Sequence, residues 1–299
     1  MFIITHRGFF FWLTGLILAA AIGAIAFWGL PLGLDFTGGS LLQANYQDGR
    51  PALSEIQERV AAVPIGAVSV RAFGEEGVSV RTRTLSPEEH DALLAALSGS
   101  VPATELSFTS IGPALGSQFA TKALWAIFAV ILVIVLYIAF AFRKVSHPVP
   151  SWGYGLTVVA MLAIDLIVPA GFYAAYAHFT GAEVDSLFIV ALLALLGYCV
   201  NDVIVIFDRI REHLNRNEKL GLRESFEDTI GKSINETMTR SINTALTVVL
   251  ALLALIYFGA EATRNFALVM LVGVVAGTFS SITRSAPLLI PLAKWFSRE

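Results

Sequence analysis

The chain has 299 residues, of which 56% are hydrophobic and 14% charged, with a mean hydropathy of +0.72 and a formal net charge of −3. An ordinary soluble domain carries about 25% charged residues, so the composition excludes a soluble globular protein and points to an integral membrane protein. The single cysteine, Cys199, excludes an internal disulfide or a cysteine-based metal site, and its apolar setting reads as packing.

Six stretches are apolar enough to span, at about 20 residues per crossing. They lie at roughly 9–30, 119–142, 152–177, 186–207, 240–259 and 265–293. The first has His6 and Arg7 before it, as a signal peptide would. It is long for one and shows no clear cleavage site before Pro31, so it reads as a retained span. Lys and Arg set the orientation. Arg7, Arg143, Lys144, the basic residues between Arg209 and Lys232, Lys294 and Arg298 fall on one side, and the opposite short loops hold only Arg264. Both termini are thereby expected in the cytoplasm and residues 31–118 outside it.

Residues 31–118 open with LDFTGGS, in which Gly38-Gly39 reads locally as a turn and allows the backbone freedom a hinge would need. SLLQANY (40–46) is a predicted strand. SEIQERVAAV (54–63) has Ser54 and Gln57 at capping-box spacing before a helical pattern. GAVSVRAF and GVSVRTRT alternate as strands around GEEG. SPEEHDALLAAL (86–97) places Ser86 as N-cap with Glu89 three residues on at capping-box spacing and Pro87 at the first helical position, and ATELSFTSIG (103–112) is a last strand. The order β-α-β-β-α-β predicts a small α+β ferredoxin-like domain. It has no nucleotide loop or Cys/His cluster, and His90 reads as a solvated helix residue.

The remaining residues, 119–299, read as a five-helix membrane bundle with a cytoplasmic connection at 208–239. Asp165 sits mid-span in MLAIDLIVPAG, and Asp202 sits within GYCVNDVIVIFDR beside Asn201. Even the mildest scales charge about 2.5 kcal/mol for a carboxylate at the centre of a membrane helix. Such residues are therefore read as functional first. Arg240, Asn243, Thr244 and Thr247 recur at helical spacing near the start of span 5. Gly273, Gly277 and Ser281 form a small-residue ridge on span 6, and Arg284 follows, deep enough to need an acidic partner such as Asp165. Phe226, Ile230, Ile234 and Met238 recur every four residues, the pattern of an amphipathic helix lying along the interface before span 5.

Several motifs in fixed order resemble the SecD/SecF family of the resistance-nodulation-division (RND) transporter superfamily, on its SecF side. They are LDFTGGS after span 1, IGPALGSQF (111–119), GYCVNDVIVIFDRIRE (197–212), SINETMTRSINTALTVVLALLALIYFG (233–259) and GTFSSI (277–282). The resemblance implies an accessory subunit of the Sec translocon in the bacterial inner membrane. It implies SecD as heterodimer partner, association with SecYEG, with YajC and YidC as further candidates, and secreted polypeptides as substrate. It also implies use of the proton-motive force. Asp202 then takes the place of the family's span 4 acid, Arg240 its span 5 arginine, Asp165 its span 3 aspartate, and Asp35, Gly38 and Gly39 its DFTGG element. Asp202 and Arg240 are expected to pair at matching depth in a proton relay that includes Asp165. Three departures stand out: Ile164 where many members have His, Thr283-Arg284 where the family is usually apolar, and a somewhat long connection between spans 4 and 5. No catalytic residue, metal, cofactor or nucleic acid is expected.

Two aspartates at membrane depth also suggest an intramembrane aspartyl protease. That chemistry needs two acids sharing a proton, and the chain has no GLGD-type signature. Half of another RND exporter, moving lipid or small molecules, and a passive translocon brace are the remaining alternatives. The orientation is testable by placing single cysteines at Gly181 and Asn217. The first should react with an impermeant thiol reagent from outside and the second only once the inner face is opened. The reverse pattern would invert the topology.

Overall fold

The computed structural model describes residues 2–47, 49–99, 101–142 and 148–296. Arg143, Lys144 and Arg298, used above for orientation, lie outside the described residues. In chain order the elements are α1 (Phe2–Thr5), α2 (Arg7–Trp28), α3 (Leu34–Thr37), β1 (Gly39–Tyr46), α4 (Leu53–Ala61), β2 (Ser69–Phe73), β3 (Gly77–Thr82), α5 (Pro87–Leu97) and β4 (Ala103–Ile111). Then come α6 (Pro113–Ala141), α7 (Ser151–Thr180), α8 (Ser186–Leu220), α9 (Phe226–Phe258), α10 (Glu261–Ser280), a π-helical turn (Ser281–Ser285) and α11 (Leu289–Phe296). Six helical stretches are long and apolar enough to cross a membrane: α2, α6, α7, α8, α9 and the stretch Ala262–Phe296. Contacts divide the chain into two units, residues 32–124 and residues 1–31 with 125–299.

In the first unit, β1 lies between β3 and β4, and the four antiparallel strands run in the order β2-β3-β1-β4. Alternation along β1 turns Leu42, Ala44 and Tyr46 to one face, where Ile56 and Val60 of α4 and Leu93 and Leu97 of α5 bury them. Each such aliphatic side chain contributes about 1.5–3 kcal/mol on full burial. The Tyr46 hydroxyl donates to the Leu97 carbonyl at 3.2 Å, which satisfies the polar atom that this burial creates.

The two helix starts differ. Ser86 and Glu89 close the predicted capping box, and Arg83 pairs with Glu89 as well. The Arg83 guanidinium, with help from the Ser86 amide, holds the Glu89 carboxyl down at about 2. The box expected at Ser54 does not form. Helix α4 begins at Leu53 after Ala52, without a side-chain cap. Its stability therefore comes from the apolar pair Ile56 and Val60. His90 is not a solvated residue. Its side chain is only 20% exposed, because its ring contacts Glu105 at 3.0 Å and packs on Phe108, tying α5 to β4.

The DFTGG and IGPALG motifs meet in this unit. Gly38 and Gly39 have φ of +70° and +121°, a region that L side chains rarely adopt. A Cβ on Gly38 would sit 2.8 Å from Pro113 Cα, and one on Gly39 would sit 2.6 Å from the Thr82 carbonyl oxygen. From the other side, a Cβ on Gly116 would lie 2.7 Å from the Gly38 nitrogen. Asp35 stands in the first turn of α3 just before this joint. Rather than an open turn, the glycine pair is a packed crossing of two backbones.

In the second unit, α10 packs against α7, α8 and α9, and α2 packs against α7. The α2–α7 crossing is tight, since a Cβ on Gly171 would reach 2.5 Å from Ala21 Cα. On the α8–α10 seam, Gly273 sits against Leu195 and Gly277 against Cys199. Most of α6 is exposed, but Ile138 and Phe142 at its end are buried, and Phe142 stacks on Tyr154 at 5.3 Å.

The 208–239 connection is neither a loop nor an interfacial helix. Helix α8 runs on to Leu220, Gly221 closes it in the left-handed region, and α9 starts at once from a Ser225 cap. Polar bridges zip the two helices together: Arg209 and His213 both meet Glu236, and Asn217 donates to Thr229. Phe226, Ile230, Ile234 and Met238 belong to the unbroken α9, with Ile230 and Ile234 fully buried.

The packed crossing of the two glycine motifs predicts that Gly116→Val destabilises the 32–124 unit. Hydrogen exchange of the β1 and β4 amides in the full chain should speed up at least tenfold, the equivalent of about 1.4 kcal/mol of opening free energy. Gly112→Val, at a position where an added Cβ meets nothing within 4 Å, should change exchange much less. Equal effects would contradict the packed joint.

Candidate intramembrane acid site

The site lies where α7, α8 and α9 meet the end of α10. Asp202 of α8 is 8% exposed. Its two carboxylate oxygens accept from two serines, Ser241 Oγ of α9 at 2.6 Å and Ser281 Oγ at 2.8 Å. Both serines are buried to 1% exposure. Ser281 completes the ridge of Gly273 and Gly277: these three residues meet Leu195, Cys199 and Asp202 in turn along α8. Small residues let the helices approach closely enough for a side chain as short as serine to reach the acid.

A hydroxyl carries one proton and accepts as well as donates. Ser281 Oγ has two acceptors within reach, Asp202 Oδ2 at 2.8 Å and the Thr278 carbonyl at 2.9 Å. One proton cannot serve both at full strength, so the serine has two hydrogen-bonding states. An ionised Asp202 takes both serine protons. A protonated Asp202 can donate to a serine oxygen instead and release the Ser281 proton to Thr278. The arrangement thus accommodates either state of the acid without exposing an unpaired group.

Arg240 does not join this cluster. Consecutive residues on a helix are about 100° apart, and α9 turns Ser241, not Arg240, inward. Arg240 is exposed and lines a cavity of about 390 Å³ at the ends of α8 and α9, with Asp208, Arg209, Glu212 and Glu236. The expected Asp202–Arg240 contact is not made within this chain; among the described residues no ion pair joins them. Asn243, Thr244 and Thr247 share the exposed side of α9, and Asn201 is exposed on α8. The inward face of α9 instead carries Ser233, Thr237, Ser241 and Ala245. That run of small residues every four positions is the signal by which the sequence could have shown Ser241.

Asp165 is 2% exposed, and its polar neighbours are Ser280, Arg284 and Cys199. It sits on the other side of the Ser280–Ser281 step from Asp202. Arg284, in the π-turn, is 5% exposed. No cluster of three or more potential metal ligands occurs among the described residues.

Comparisons with known proteins agree with this architecture. Residues 93–295 match the family model described as the C-terminal region of the protein export membrane proteins SecD and SecF, and residues 23–49 match the SecD/SecF GG motif. The SecF protein translocase subunit of Thermobaculum terrenum is 36% identical, with 96% of this chain and 92% of that protein covered. The SecF subunit of Synechocystis is 32% identical over 89% of this chain and 84% of its own length. A crystal structure of SecDF, a translocon-associated membrane protein from Thermus thermophilus, superposes on 96% of this chain with a TM-score of 0.81 at 28% identity. The chain spans 38% of that SecDF chain. With a six-span plan, a glycine joint at the family's GG motif and a sequence match over most of its length, the chain belongs to the SecD/SecF family of protein-export membrane proteins.

Proposed function

We propose that this protein is the SecF-type half of a proton-driven export unit in the bacterial inner membrane, with both termini cytoplasmic and residues 32–124 outside. The observation that carries the reading is the Asp202 carboxylate, buried at the crossing of three helices and held, among the described residues, by two reversible serine hydroxyls. An acid kept for structure alone is better served by a fixed cation. One held by serines is suited to taking up and releasing a proton. Asp202 is the relay acid in this reading, with Ser241 and Ser281 as its proton-passing partners.

The partner is a SecD-type chain. Support comes from α9, whose exposed side carries Arg240, Asn243, Thr244 and Thr247 at the level of spanning helices. Polar groups facing hydrocarbon are costly, whereas a second helical bundle seated there would cover them. It would also leave Arg240 at the seam, where the partner supplies its counter-charge. The SecDF chain, of which this chain spans 38%, has room for such a second half. The exported unit is a ferredoxin-like domain in this reading, supported by the β-α-β-β-α-β order and the strand order β2-β3-β1-β4. SecYEG would be the channel served, with YajC and YidC as further neighbours and secreted polypeptides as the substrate.

Asp202→Asn keeps shape and removes the titrating acid. Co-purification with SecD should survive it, while stimulation of secretion by an imposed proton gradient is lost. Ser241→Ala and Ser281→Ala should each reduce that stimulation about three- to tenfold without abolishing it. Wild-type secretion by Asp202→Asn under a gradient would refute the relay and leave the passive brace. Purification with a lipid-exporting half instead of SecD would favour another RND exporter.

A further inference from the structure

Span 6 does not run through the site as a plain α-helix. Helix α10 ends at Ser280, and Ser281–Ser285 form a π-helical turn. Such turns interrupt α-helices rarely and often at functional sites. A π-turn rotates less per residue than an α-turn. It therefore separates the directions of Ser281 and Arg284 more than an α-helix would, which lets Ser281 face Asp202 on α8 while Arg284 turns elsewhere.

Arg284 is the only buried Lys or Arg among the described residues, at 5% exposure. Its Nε has no hydrogen-bond partner. Span 6 passes close to Asp165 of α7, where a Cβ on Gly277 would lie 3.9 Å from the Asp165 Cγ. Asp165 is itself 2% exposed, and its Oδ1 likewise lacks a partner. The π-turn that carries Arg284 packs on α7, so two oppositely chargeable groups, each more than nine-tenths buried and each with an unsatisfied atom, lie on touching elements of the bundle interior. No ion pair within 4.0 Å joins them among the described residues, so their attraction acts beyond contact distance. In a medium of low dielectric that attraction remains strong. Around Asp165 stand Met161 on its own helix, Cys199 on α8, and Ser280 with Arg284 from span 6. None of the others is a cation.

We infer that Arg284 is the in-chain countercharge of Asp165, a positioning residue that the π-turn delivers to α7. The bundle then holds two acid sites on either side of the Ser280–Ser281 step, one neutralised by an arginine and one held by serines. This assignment does not depend on Asp202 relaying protons.

A double-mutant cycle on the full chain in detergent tests it. Arg284→Met and Asp165→Asn should each lower the thermal midpoint by about 5 °C or more, because each strands a buried charge. The double variant should return to within about 2 °C of wild type. Arg284→Lys should recover at least half of the loss seen with Arg284→Met, which replaces bulk without charge. Where a single variant fails to accumulate in the membrane, accumulation is the readout: recovery in the double variant supports the pair, and failure of the double overturns it. Additive losses, a neutral Arg284→Met, or a lysine no better than methionine would each overturn the assignment, and all three can arise with Asp202 fully active.

Discussion

An acid inside a membrane bundle has to be met by donors or by opposite charge, and the core of this protein is organised around meeting two of them. Asp202 and Asp165 approach adjacent residues of span 6, Ser281 and Ser280, from different helices. The geometry needed for this explains otherwise separate features. Gly273 and Gly277 let α8 and α10 close together. Ser241 is drawn in from α9. The π-turn releases Ser281 and Arg284 toward different neighbours.

The two solutions differ in kind. A carboxylate balanced by hydroxyls can change protonation with small movements, since the hydroxyl protons reorient within their own sites. A carboxylate balanced by arginine is held in one charge state, and replacing either partner leaves an expensive remainder. In the proposed reading, one bundle contains a switchable centre beside a fixed one. The exposed polar side of α9, with Arg240, Asn243, Thr244 and Thr247, is the surface on which the proposed partner would sit.

Much of the fold was legible in the sequence because it depends on local rules. Hydropathy identified the six spans, and Pro87 with the Ser86–Glu89 box fixed the start of α5 to the residue. Features set by packing were not legible. Ser54 has the spacing of a cap, but the N-cap of α4 falls two residues earlier, at Ala52, and the helix is held by Ile56 and Val60 packing on the sheet. Phe226 to Met238 have the period of an interfacial helix, yet bridges from Arg209, His213 and Asn217 carry the segment into one continuous α9. Gly38-Gly39 looked like a turn, and the contact with Gly116 that gives it meaning lies far away in the chain. At the site, the acids were visible as rare residues at membrane depth. Their partners were not, because serine is common and its role depends on which face of a helix turns inward. Arg240 drew attention by its charge, whereas Ser241 beside it makes the contact.

The central claim is that Asp202, held by Ser241 and Ser281, changes protonation during work. Infrared difference spectroscopy of the chain reconstituted with its partner would record this directly. The account predicts a protonated-carboxyl band that grows when a proton gradient is imposed, disappears in Asp202→Asn and shifts in frequency in Ser281→Ala, as its hydrogen bonding changes. A carboxyl spectrum that does not respond to the gradient, or a responsive band that persists in Asp202→Asn, would contradict it.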